Sequence, residues 1–209
     1  MKYLYELIGT FFLMLTIGLT VVSPGDAGPL APLAIGSVLA VMVFAGGHIS
    51  GAHYNPAVSL AVFLRKRLSA QDLGYYWLSQ LLGAVLAAFV TIYLKGGVSL
   101  LPPLALDVPK SFLAEFLFTF ALCYVVLNVA TAKGTAGNSY FGWAIGFTVL
   151  AGAFAVGSIS GAAFNPAVAV GVSLLHLITW TDIWIFFGAN FLGAAAAAFL
   201  FNAAHRDEV

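Results

Sequence analysis

Followed for apolar and polar positions, the chain is six long apolar runs at 3–22, 30–48, 72–94, 110–131, 138–157 and 181–203. Each comes close to the roughly 20 residues that a helix needs to cross a bilayer. Polar or Gly/Pro-rich breaks such as SPGDAGP, RKRLSAQD, LKGGVSLLPPLALDVPK, TAKGTAGN and LITWTD separate them. Two further apolar stretches, 55–64 and 165–174, follow the second and fifth runs and hold only ten residues each. At about 1.5 Å per residue such a helix reaches roughly 15 Å, half of a hydrocarbon core about 30 Å thick. Both open with Asn-Pro. Asn caps a helix, and Pro at the first helical position lacks an N–H that would be unpaired there anyway. The pattern predicts six spanning helices and two half-helices. The Gly-rich backbone before each half-helix is too irregular to face lipid, so it must be buried in protein or line a water-filled path.

The pattern is also written twice. GGHISGAHYNPAVSLAV at 46–62 recurs as VGSISGAAFNPAVAVGV at 156–172, an offset of 110. SQLLGAVLAAF at 79–89 matches ANFLGAAAAAF at 189–199, and ELIGT at 6–10 matches EFLFT at 115–119. The halves, about 1–100 and 105–209, are one unit duplicated. Each carries three spans, so the second is inserted upside down relative to the first. The two Asn-Pro segments then dip in from opposite faces, and their amino-terminal ends meet near the midplane. The expected fold is an all-α membrane protein with six transmembrane helices plus two re-entrant half-helices in an inverted 3+3 repeat, forming one domain over 1–209.

Composition agrees: 62% of the 209 residues are hydrophobic and 8% are charged, which no soluble domain matches. The lipid bilayer is the first partner. Formal net charge is zero, so charge balance suggests no nucleic-acid partner. The single Cys123 excludes an internal disulfide and a Cys-based metal cluster. The first run lies where a signal peptide would, but Glu6 interrupts it and no small-residue cleavage pattern ends it, so it reads as a retained span. With both termini cytoplasmic, Lys2, Arg65, Lys66, Arg67, Lys133 and Arg206 fall inside and only Lys95 and Lys110 outside, as the positive-inside rule asks. Arg65, Lys66 and Arg67 read as topology markers, with gating or lipid contact as the alternative.

Two NPA motifs, each after ISGA and behind spans two and five, with a membrane-embedded Glu in spans one and four, resemble the aquaporin family of major intrinsic proteins. The likeness covers essentially the whole chain. It implies a homotetramer in the cell (plasma or inner) membrane, with one narrow pore per subunit passing water and small neutral solutes down their gradients. The pore motifs are Asn55, Pro56 and Ala57 with Asn165, Pro166 and Ala167. By resemblance, the carbonyls of Gly51, Ala52, His53 and Tyr54, and of Gly161, Ala162, Ala163 and Phe164, form an acceptor ladder leading to the Asn pair. The same likeness has Glu6 and Glu115 brace the re-entrant loops; an ionisable group within a span also reads as a proton relay. His53 faces either the cytoplasmic vestibule or a packed, hydrogen-bonded site, and His48 reads as structural.

Residue chemistry supports a channel without the resemblance. Helix amino termini carry roughly half a positive charge, and two of them aimed at one point repel cations. The carboxamides of Asn55 and Asn165 can offer N–H donors to a passing solute while their oxygens accept backbone hydrogens. One departure from the family stands out. Most aquaporins follow the second NPA with Arg, whereas this chain has Val168. Counted from the Asn anchors, the four filter positions are Ile35, Ala153, Ala162 and Val168, all apolar. Such a filter is wide enough to ease the passage of glycerol, urea, ammonia or peroxide, yet it offers no donor to replace lost hydration.

Two rival functions share this outline. A secondary transporter also uses inverted repeats and broken helices, but its coupling-ion site would have to be Glu6 or Glu115. A closed, structural membrane protein would have its outer mouth plugged, with Phe154 or Phe164 as the plug. Without a nucleophile–base pair at motif spacing, a metal-ligand cluster or a nucleotide loop, neither an enzyme nor a cofactor is expected.

Overall fold

The computed structural model describes residues 1–23, 27–99 and 101–208. Eight α-helices and no strand lie among the described residues: α1 Lys2–Val21, α2 Ala31–Ser50, α3 Pro56–Leu64, α4 Ala70–Lys95, α5 Val108–Ala130, α6 Phe141–Ser160, α7 Pro166–Leu174 and α8 Ile183–Ala204. Six are long and apolar enough to cross a membrane. The other two, α3 and α7, have nine residues each, about 14 Å of helix. Order and lengths repeat between α1–α4 and α5–α8, and three spans per half make the repeat inverted. The start of α1 and the end of α8 share one face, called here the terminal face; the opposite one is the far face.

Helix ends differ from the sequence reading by a few residues, most clearly in spans two and five. Spans two and five run on to Ser50 and Ser160 because their stop is the next residue: Gly51 and Gly161 take φ of 83° and 84° and return their N–H to the carbonyls of Gly47 and Gly157. Span five begins at Phe141, not at 138. The side-chain amide of Asn138 donates to the Val129 and Thr135 carbonyls and its Oδ1 accepts from Tyr140 N–H, which shapes a turn there.

Helices approach closely where glycine meets the backbone of a neighbour. α1 lies along α4 and α5 along α8, while α2 and α6 cross between the repeats. A Cβ on Gly83 would stand 2.5 Å from the Leu7 carbonyl, and one on Gly193 2.7 Å from that of Phe116. Small residues of this kind let membrane helices approach without a hydrophobic drive. Polarity is turned inside out relative to a soluble protein. Glu6, Gln80, Glu115, Thr119 and Asn190 are fully buried, while Leu4, Ile8, Phe12, Leu82 and Leu117 are exposed on the flanks that face lipid.

Candidate functional site

Each half-helix begins at a capping asparagine. Asn55 Oδ1 accepts from Ala57 N–H at 2.8 Å, and Asn165 Oδ1 accepts from Ala167 N–H at 3.0 Å and Val168 N–H at 3.4 Å. The amide groups then reach across the repeat. Asn55 Nδ2 donates to the Phe164 carbonyl at 2.8 Å, and Asn165 Nδ2 donates to the Tyr54 carbonyl at 2.9 Å. A carboxamide has two N–H bonds, so one on each asparagine is committed to the other loop and one is left over. The crossing places two helix amino termini, each with roughly half a positive charge, side by side.

The loops that deliver the asparagines hold unusual backbone. Besides the two cap glycines, Ala52, Tyr54, Ala162 and Phe164 have φ of 52°, 51°, 53° and 48°. Left-handed backbone disfavours a residue with a Cβ by about 1–2 kcal/mol, so something must hold it. Glu6 Oε1 accepts from the Ser50 hydroxyl (2.7 Å) and His53 N–H (3.0 Å), and its Oε2 from Tyr54 N–H (2.7 Å) and Gln80 Nε2 (2.8 Å). Glu115 repeats the set with the Ser160 hydroxyl (2.8 Å), Ala163 N–H (2.9 Å), Phe164 N–H (2.7 Å) and Asn190 Nδ2 (2.9 Å). Four donors and no acceptor face each carboxyl, the environment of an ionised carboxylate. Gln80 and Asn190 were missed in the sequence reading. They sit at matching positions of the repeat, amide on amide, and that coincidence inside apolar runs was the available signal.

A cavity of about 430 Å³ passes between the two repeats. Asn55 and Asn165 line it, and so do all four positions counted from them, Ile35, Ala153, Ala162 and Val168. Of the ladder residues, His53, Tyr54, Gly161, Ala162 and Ala163 line the cavity, and Gly51, Ala52 and Phe164 do not. Val58, the residue matching Val168, lines it beyond the Asn pair. Neither residue suggested as a plug does: Phe154 is exposed on the flank, and Phe164 is buried with its ring stacked on Phe118 at 5.4 Å. His53 combines both expectations, lining the cavity while its Nδ1 bonds the Ser59 hydroxyl at 3.1 Å and its ring meets the Tyr76 ring edge-on. Cys123 is buried and is not among the lining residues.

Arg65 stands apart from Lys66 and Arg67. It is 1% exposed, pairs with the Glu208 carboxylate at 3.0 Å and lies 4.8 Å above the Phe201 ring. Its partner is 143 residues away, a distance that no local pattern reveals.

Six spans and two re-entrant half-helices around a continuous cavity, with amides paired at the crossing, define a membrane channel for water and small solutes. The chain belongs to the major intrinsic protein family, whose family model matches residues 2–201. It is 36% identical to Aquaporin NIP1-1 of Zea mays over 209 residues, covering 96% of this chain and 73% of that one. Nodulin-26 of Glycine max is 33% identical over 210 residues, covering 96% and 76%. The fold is similar to the X-ray structure of the aquaglyceroporin from Plasmodium falciparum, with a TM-score of 0.80 at 20% identity over 96% of this chain and 94% of that one.

Proposed function

We propose that this channel passes uncharged solutes of glycerol size as well as water, through a filter formed by Ile35, Ala153, Ala162 and Val168. The observation that carries the reading is the lining: at four positions around one cavity there is no side-chain donor, and three are Ala or Val. Width lowers the steric barrier, while the missing donors raise the cost of stripping water from a polar solute. The balance favours compact neutral solutes over ions, which meet the half-helix dipoles as well. In this reading the leftover N–H of Asn55 and Asn165 hands the solute across the midplane. The loop carbonyls on either side form its acceptor ladder, and Glu6 and Glu115 keep both loops in shape. The chain acts as a single channel domain over 1–209, as a homotetramer in the cell membrane with both termini cytoplasmic, so that the terminal face is the inner one.

Stopped-flow light scattering on proteoliposomes tests this directly. Shrinkage in an impermeant osmolyte reads water flux, and re-swelling in glycerol or urea reads solute flux. Fast water flux with solute re-swelling no faster than in protein-free vesicles would overturn the proposed filter.

A further inference from the structure

We propose that the short helical turn Arg206–Glu208 is a releasable latch on half-helix α3, and that its docking holds the pore in conducting geometry. Glu208 ties together pieces of both repeats at the terminal face. Its carboxylate takes the Arg65 guanidinium at 3.0 Å just after α3, and its backbone carbonyl accepts a second Arg65 N–H at 2.9 Å. Both carboxylate oxygens lie 3.1 Å from Lys133 N–H, in the connection between α5 and α6. The Lys133 ammonium reaches the Asp207 carbonyl at 3.3 Å, and the Asn202 amide of α8 donates to the Leu64 carbonyl at 3.1 Å.

The inverted repeat supplies an internal control for this arrangement. Arg65 corresponds to Leu175, and each precedes a residue held in left-handed backbone: Lys66 at φ 62° and His176 at φ 60°. At the far face the turn is held by Leu175, fully buried in the apolar core, whose carbonyl accepts Ser99 N–H at 3.2 Å. At the terminal face the same turn is held by a buried charge whose carboxylate partner sits on a three-residue turn. Apolar burial cannot be switched off, but an ion pair can. Without Glu208 the Arg65 guanidinium is a buried, unpaired charge, which is strongly unfavourable, and reaching water requires the turn after Leu64 to move. α3 is a single nine-residue rod with Asn55 capping its other end, so movement at Arg65 is passed to the midplane amide.

The proposal rests on the channel reading, and its test separates the two. Glu208→Ala, Arg65→Leu and the double variant are compared for osmotic water flux in proteoliposomes and for the rate of tryptic cleavage after Arg206 in nanodiscs. Glu208→Ala is expected to speed cleavage several-fold and to lower flux several-fold. Arg65→Leu, which copies the far-face residue, is expected to speed cleavage while keeping the parent's flux, and adding Glu208→Ala to it is expected to change flux no further. Unchanged cleavage in Glu208→Ala, unchanged or raised flux in that variant, or an equal loss of flux in the Arg65→Leu background would each overturn the latch. Should Glu208→Ala fail to assemble, the double variant decides: parental flux upholds the latch and reduced flux overturns it. Absence of flux in the parent would sink the channel reading, while the cleavage rates still report on docking.

Discussion

Replacing Glu115 by Gln removes one charge with almost no change of shape, so its effect can be worked from the four donors around the carboxyl. If the new Nε2 takes the place of Oε2, both Phe164 N–H and the Asn190 amide face a donor. If it takes the place of Oε1, the Ser160 hydroxyl can turn to accept and only Ala163 N–H is orphaned. The second orientation is the cheaper one. An orphaned buried donor costs about 1–3 kcal/mol, and the two bonds that lose a charged acceptor weaken by about 1 kcal/mol each. Relief of the carboxylate's desolvation offsets part of this, leaving a net loss of about 2–4 kcal/mol. For a chain of this length that corresponds to a fall in melting midpoint of about 4–16 °C. Ala163, which sits between the left-handed Ala162 and Phe164 at φ 53° and 48°, then loses the acceptor that fixes its N–H, so water flux should fall along with stability. Size-exclusion thermal profiles and stopped-flow shrinkage measure the two effects. Parental midpoint and flux in a folded Glu115→Gln would refute the bracing argument, and intact water flux with a changed proton leak would point to a relay instead.

Val168→Arg should raise the ratio of water to glycerol permeability, because a guanidinium adds donors and bulk to a wall of Ile35, Ala153 and Ala162; a monodisperse variant with the parent's ratio in stopped-flow assays would remove this position from the filter. Mercurials should leave parental flux unchanged, since Cys123 is buried away from the lining, and should block Ala162→Cys; inhibition of the parent would show that Cys123 reaches the pathway. Gly193→Ala should destabilise by about 1–3 kcal/mol through overpacking, because its Cβ would meet the Phe116 carbonyl at 2.7 Å and Phe120 N at 2.9 Å; a thermal melt unchanged from the parent would show that α5 and α8 separate freely.

Much of the architecture was legible because bilayer thickness ties a helix to a length, and a duplicated chain states its plan twice. The ten-residue stretches stood out as too short to span, and Asn-Pro marked where each begins. What escaped was whatever depends on partners far along the chain. Gln80 looks like a stray polar residue until it is seen donating to both Glu6 and Ser59. Arg65 looks like its exposed neighbours Lys66 and Arg67, because charge next to a span signals topology by default; only the fold brings Glu208 to it. The ends of spans two and five were misjudged by a few residues because the Gly-rich run before Gly51 and Gly161 resembles a stop, although the left-handed cap comes only at those two glycines.

The reciprocal amide bonds carry a consequence for biosynthesis. Asn55 completes its hydrogen bonding on the carbonyl of Phe164, 109 residues further along. At translation rates of about 5–20 residues per second, the ribosome needs roughly 5–22 s to cover that interval. Throughout it the first re-entrant loop has Glu6, Ser50 and Gln80 from its own half to shape it, but its asparagine has no carbonyl to meet. The second loop arrives with the mirror-image need, for the carbonyl of Tyr54. Both are met in the same docking event. A ribosome stalled after α4 therefore leaves in the membrane a loop that is already braced and no conducting route, and the pore comes into being only when the second loop docks.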